Sequence, residues 1–208
     1  MDLQDVSDVE RHMQDLALRK DCLRAASRRK GQVPTDRLPR REIINQQMES
    51  VLLSRIGQIA SGPHKTDMYT SFLPPSYLPS IKPLKDLKQI FIKDMELETH
   101  HWGSYVLLRA VTPPRRIAGI LTVVEDEKDE VVWIQIYQQE HEEVRPAREI
   151  ISPKSIVVVK EPYFKVTSDC YALRVDHVSD LIWLTEDDDR IPECWHPQII
   201  EVGKTTID

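Results

Sequence analysis

Glycine is scarce in this chain: six in 208 residues. So few cannot supply the glycine-rich turn that cradles phosphates. No phosphate loop, no G-x-G-x-x-G and no G-x-S-x-G elbow occurs anywhere. Cysteine is also scarce. Cys22, Cys170 and Cys194 are an odd, scattered set that makes no disulfide framework. The longest near-continuous apolar run, residues 117–124, falls far short of the roughly 20 residues that span a bilayer. The first residues, Met-Asp-Leu-Gln-Asp-Val, lack the basic and apolar regions of a signal peptide. These absences predict an intracellular chain, cytoplasmic or nuclear, without a membrane segment.

Seven histidines invite a metal reading, but the spacing argues against it. His100 and His101 are adjacent, which on a strand points them to opposite faces. Cys170, His177, Cys194 and His196 fit no paired zinc spacing. Asp176-His177, with Ser179 nearby, could be drawn as part of a catalytic group, yet adjacent residues on a strand do not face each other. No catalytic residue, no metal and no cofactor is predicted on these grounds.

What is present is charge, unevenly placed. Residues 1–60 carry 11 basic and 9 acidic groups, residues 61–95 carry 5 and 3, and residues 96–208 carry 12 and 22. The last part therefore has a net charge of -10 (12 less 22) and would repel a phosphate backbone unless a local groove overrode it. Arg109, Arg115, Arg116, Lys160, Lys165 and Arg174 are the groups that could build such a groove.

Periodicity divides the chain. Ser7-Asp8-Val9-Glu10 fits a capping box, and Val6, Val9, Met13, Leu16 and Leu23 follow at helical spacing up to Gly31. A second helix is predicted from about residue 40 to residue 60, with Ile44, Met48, Val51, Leu52, Ile56 and Ile59 on one stripe. Prolines then punctuate an extended linker. Beyond it the period becomes that of strands, near 105–111, 117–125, 131–138, 155–160, 163–166, 171–176 and 181–184. Residues 126–129 make a polar hairpin turn, and residues 140–151 a loop with a short helix. Ile134 and Ile136 alternate with Trp133, Gln135 and Tyr137, so one strand face is aliphatic and the other aromatic.

The expected fold is α+β. A helical arm (1–62) leads through a Pro-rich linker (63–95) to a small antiparallel β-barrel (96–190), OB-like or alternatively SH3-like, and a tail (191–208).

Long strings of the sequence resemble the N-terminal region of fungal tetratricopeptide-repeat (TPR) proteins. They are Met-Glu-Leu-Glu-Thr-His-His-Trp-Gly at 95–103, Tyr-Val-Leu-Leu-Arg at 105–109, Lys-Glu-Pro-Tyr-Phe-Lys at 160–165 and Leu-Arg-Val-Asp-His-Val-Ser-Asp at 173–180. Ser-Phe-Leu-Pro-Pro-Ser-Tyr at 71–77 matches the linker of the same proteins. In that family such a region is followed by the repeats and often by a SET methyltransferase domain. Neither repeat helices nor SET strings are found in this chain. The resemblance therefore implies a helical arm and a β module without the enzyme.

Taken together, these readings predict a non-enzymatic accessory protein that binds a protein partner or itself. The predicted partner-binding residues are Met13, Leu16, Met48, Leu52 and Ile56 on the arm and Trp133, Tyr137 and Arg174 on the barrel. A single-stranded nucleic-acid binder and an accessory factor of fungal secondary metabolism are the alternatives, with nucleic acid disfavoured by the charge.

Overall fold

The computed structural model describes residues 20, 21, 23–61, 76–167 and 170–196. Met13 and Leu16 lie outside them. One long helix, α1 (Arg40–Ser61), precedes ten strands: β1 (Lys88–Gln89), β2 (Thr99–His100), β3 (Ser104–Ala110), β4 (Arg115–Arg116), β5 (Ile120–Glu125), β6 (Val131–Ile136), β7 (Ile156–Lys160), β8 (Tyr163–Val166), β9 (Tyr171–Val175) and β10 (Leu181–Leu184). A single turn of helix, α2 (Ala147–Ile150), stands between β6 and β7.

The strands form one mixed sheet in the order β10-β7-β3-β5-β6-β9-β8-β2, with β1 parallel to β3 and β4 against β5. Its two ends do not pair, so the sheet is not closed. This corrects the expected N-terminal helices plus small closed barrel, OB-like or SH3-like. The physical reason lies in pairing over long sequence distances. β3 bonds to β7 on one side and β5 on the other, while β9 joins β6 in parallel. The two-residue strands β1, β2 and β4 are too short to show a period.

Local chemistry explains the turns. Asp126 closes the β5–β6 hairpin by accepting from Lys128 N at 2.9 Å and Glu130 N at 3.2 Å, and Asp129 takes the left-handed conformation at φ 62°. The same carboxylate accepts from Ile92 N at 2.8 Å, fixing the segment before β2 to the hairpin. Gly31, at φ 75°, ends the helical stretch 23–28 and its N–H reaches Leu97 O at 2.8 Å.

One sheet face is apolar: Ile134 and Ile136 of β6 pack with Leu173 and Val175 of β9 and Phe164 of β8. Ile92, Met95 and Leu97, two of them within the expected linker, are buried in this core. Helix α1 covers part of the other face through Ile43, Gln47 and Val51, one stripe at i, i+4 and i+8. Gln47 Nε2 donates to Pro113 O at 3.2 Å and Leu121 O at 3.1 Å. Arg40, at the start of α1, pairs with the buried Glu125 of β5. Among the described residues, no helix is long and apolar enough to cross a membrane.

Candidate functional site

The register sets which side chains share the outer face. Gln135 of β6 and Tyr163 of β8 both stand opposite Arg174 of β9, and Lys165 lies two residues beyond Tyr163 on the same side. Tyr137 and Asp176 follow β6 and β9 at the same end. These six residues, with Tyr77 from the proline-rich segment, form a connected polar patch.

Arg174 is buried and grips Asp176 with two parallel bonds, Nε to Oδ1 and Nη2 to Oδ2, each 2.7 Å. Such bidentate pairs fix geometry as well as charge. Tyr77 locks the end of β9. Its N–H donates to Asp176 Oδ2 at 3.3 Å, its hydroxyl donates to Arg174 O at 3.1 Å, and that hydroxyl accepts from Asp176 N at 3.0 Å. Three residues on, Ser80 N donates to the buried Asp180 at 2.8 Å and Ser80 O accepts from Lys160 Nζ at 3.1 Å. The segment from 76 to 82 is thus fastened along the sheet.

Lys165 is the reactive element of the patch. Its Nζ donates to Gln135 Oε1 at 2.6 Å and to Tyr137 OH at 3.1 Å. Burial, and secondarily the Arg174 guanidinium, hold its amine down at about 8 instead of the ordinary 10.5. Burial pushes the Tyr137 phenol up to about 12, and burial also raises those of Tyr77 and Tyr163. All three phenols therefore stay protonated near neutral pH and act as donors or neutral acceptors. Tyr163 OH donates to Glu98 Oε2 at 2.9 Å, and Val166 N donates to Glu98 Oε1 at 2.6 Å. His100 stacks on the exposed Trp102 with centroids 3.7 Å apart and meets Tyr77 edge-on at 4.6 Å. Chemically the patch offers an amine that gives up its proton more readily than usual beside a fixed cation and three phenols.

The residues predicted from sequence fall in three places. Tyr137 and Arg174 belong to this patch, but both are buried within it. Trp133 is buried against Ile43, Val123 and Ala172, at the end of the same face that α1 covers. Met48, Leu52 and Ile56 are exposed on the outer side of α1. The sequence places Lys165 only among several groups for a basic groove, and does not mark Gln135, Tyr77 and Asp176 as its partners. The alternation of β6 was the one available signal, since it places Gln135 and Tyr137 on the polar face. Among the described residues, no three His, Cys, Asp or Glu side chains converge as a metal site.

No family model matches the chain. A protein of Gibberella zeae named "Methyltransferase" is 37% identical to it over 209 residues, which take in 100% of this chain and 26% of that protein. The chain spans about a quarter of the length of the curated relative it matches. This likeness overturns the expectation of a non-enzymatic accessory protein, because the whole chain aligns with part of a protein named for an enzyme. The nucleic-acid and secondary-metabolism alternatives gain no support from it, nor does the TPR-like or OB-like description.

Proposed function

We propose that this chain works in enzymatic methyl transfer and that its outer-face patch receives the methyl acceptor, with Lys165 as the proton acceptor. The observation that carries the first part is the alignment of the entire chain, at 37% identity, with a protein named for that activity. An intracellular setting, cytoplasmic or nuclear, is compatible with it.

The methyl donor of such enzymes is S-adenosylmethionine, and the described residues do not fit it. Gly31 and Gly103 serve turns at φ 75° and 77°. Gly119 packs so tightly that an added Cβ would come within 2.7 Å of Ile136 O. None of them opens a strand-to-helix turn that could cradle the donor.

A nitrogen or oxygen acceptor sheds a proton when it is methylated. An amine at about 8 is suited to take one near neutral pH, and Tyr137 OH, 3.1 Å away, orients it. Burial, and next to it the Arg174 guanidinium held by Asp176, ease the loss of the Lys165 proton to about 8.

Deletion of the gene, with tracing from methyl-labelled methionine, tests the reading. We expect a discrete set of methylated products to vanish, to return with the wild-type chain, and not to return with Lys165→Met or Lys165→Arg chains that fold normally. An unchanged set of labelled products on deletion overturns the assignment to methyl transfer. Full restoration by Lys165→Met overturns the role given to Lys165.

A further inference from the structure

Tyr77 is seated in the outer-face patch from every side. Its ring stacks on Tyr163 with centroids 6.4 Å apart and meets His100 and His177 edge-on at 4.6 and 5.5 Å. Its N–H and hydroxyl make three hydrogen bonds with Arg174 and Asp176. The ring is thereby laid on a charge: the Arg174 guanidinium lies 5.9 Å from its centroid. Arg174 is only 5% exposed under this cover.

That guanidinium also lies 5.9 Å from the centroid of Tyr137, and Lys165 Nζ lies 5.4 Å from the same centroid. Two cations thus share one ring. The charged and titratable groups that act most on the amine are Arg174, which opposes its proton, and Glu98, Asp176 and Cys170, which favour it. Glu98 accepts from Tyr163 OH and Val166 N, and Asp176 accepts from Arg174. Charge acts more strongly across protein than across water. Whatever keeps water off Arg174 therefore decides how strongly it acts on its neighbour.

We infer that Tyr77 is a positioning residue for Lys165: its ring holds the Arg174–Asp176 pair against Tyr137, so that the second cation faces the amine across a ring and not across water. The inference rests on Lys165 as the proton acceptor of the proposed reaction. Tyr77 touches neither the amine nor the groups that hold it, so it acts through Arg174. The segment that carries it is fastened independently, by Ser80 to Asp180 and to Lys160. Loss of the ring alone should leave that segment in place.

Carbon-13 labelling of lysine in the full chain, with the Cε signals titrated by NMR and Lys165→Met to assign the signal, reads the amine directly. The wild-type midpoint is expected at about 8. Tyr77→Ala is expected to raise it by at least about half a pH unit, because water then screens the guanidinium. Tyr77→Phe keeps the ring and should restore most of the difference. Should Tyr77→Ala not fold, salt decides with the wild type alone. A covered charge is screened little, so the midpoint should move by less than about 0.3 between about 0.05 M and about 0.5 M KCl. A smaller rise in Tyr77→Ala, an equal rise in Tyr77→Phe, or a larger movement with salt each overturns the inference. A wild-type midpoint near the ordinary 10.5 removes the role of Lys165 and this inference with it, whereas one near 8 that ignores Tyr77→Ala removes the inference alone.

Discussion

Lys165 concentrates the chemistry of the outer face in one atom. Removing its charged form from water costs free energy, and no carboxylate among the described residues is close enough to pair with it. The consequence for stability has a definite sign. In the folded chain the amine loses its proton near pH 8, whereas in the unfolded chain it does so near 10.5. Between those values the unfolded state binds the extra proton, so stability from this site rises with pH across that window and is lowest below it. Lys165→Met removes the burden. Its advantage over the wild type in urea unfolding is expected to be greatest at pH 7 and to shrink steadily towards pH 10. A constant difference across that range would show that the amine titrates normally. Buried residues that sequence reasoning passed over, such as Gln47 and Asp180, share this character: a polar side chain whose partners lie over 60 residues away leaves no local signal.

At the scale of elements, α1 shows how a periodic pattern can be read with the wrong phase. Of the predicted stripe of Ile44, Met48, Val51, Leu52, Ile56 and Ile59, Val51 is buried and Ile44 packs against the Trp133 cluster, but Met48, Leu52 and Ile56 are exposed and the sheet receives Ile43 and Gln47 in their place. The helix is rotated because Arg40 must reach Glu125 and Gln47 must reach the carbonyls of Pro113 and Leu121. Two substitutions separate the faces. Ile43→Asp places an unpaired charge against Val123 and Trp133 and should cost about 3 kcal/mol or more in urea unfolding, with faster amide exchange along α1. Leu52→Asp, at a position 58% exposed, should change stability by no more than about 0.5 kcal/mol. Similar costs for the two would mean that the helix docks on the other stripe. The strand segments near 105–111, 131–138, 155–160, 163–166, 171–176 and 181–184 were legible because half-buried strands alternate and β-branched residues mark them. The short strands β1, β2 and β4 were not, since two residues carry no period.

Across the whole molecule, Glu125 ties together parts that are far apart in the chain. It is buried, and its carboxylate accepts from Arg109 Nε of β3 at 2.7 Å and pairs with Arg40 of α1. Both arginines are partly exposed, so their charges are screened, and the value of the cluster is below that of a fully buried network. Glu125→Ala is expected to lose about 2–3 kcal/mol, and to lower the unfolding midpoints of α1 and of the sheet together, as read by site-resolved hydrogen exchange in urea. Loss confined to α1 would show that the carboxylate serves the helix alone. The same long-range logic built an open ten-strand sheet where a small barrel was expected: strand identity is local, but which strand lies beside which is settled by pairing across the chain.

The sequence by itself determined the strand segments, the hairpin turn at Asp126, the acidic bias of the later half and the two-sided character of β6. Each of these depends on neighbours within a few residues, through alternation, turn chemistry or simple charge. Only the tertiary structure decided the order of the strands, the rotation of α1 and the environment that lowers the Lys165 amine. Those follow from contacts between residues tens of positions apart, where burial and partner choice, not local propensity, set the free energy.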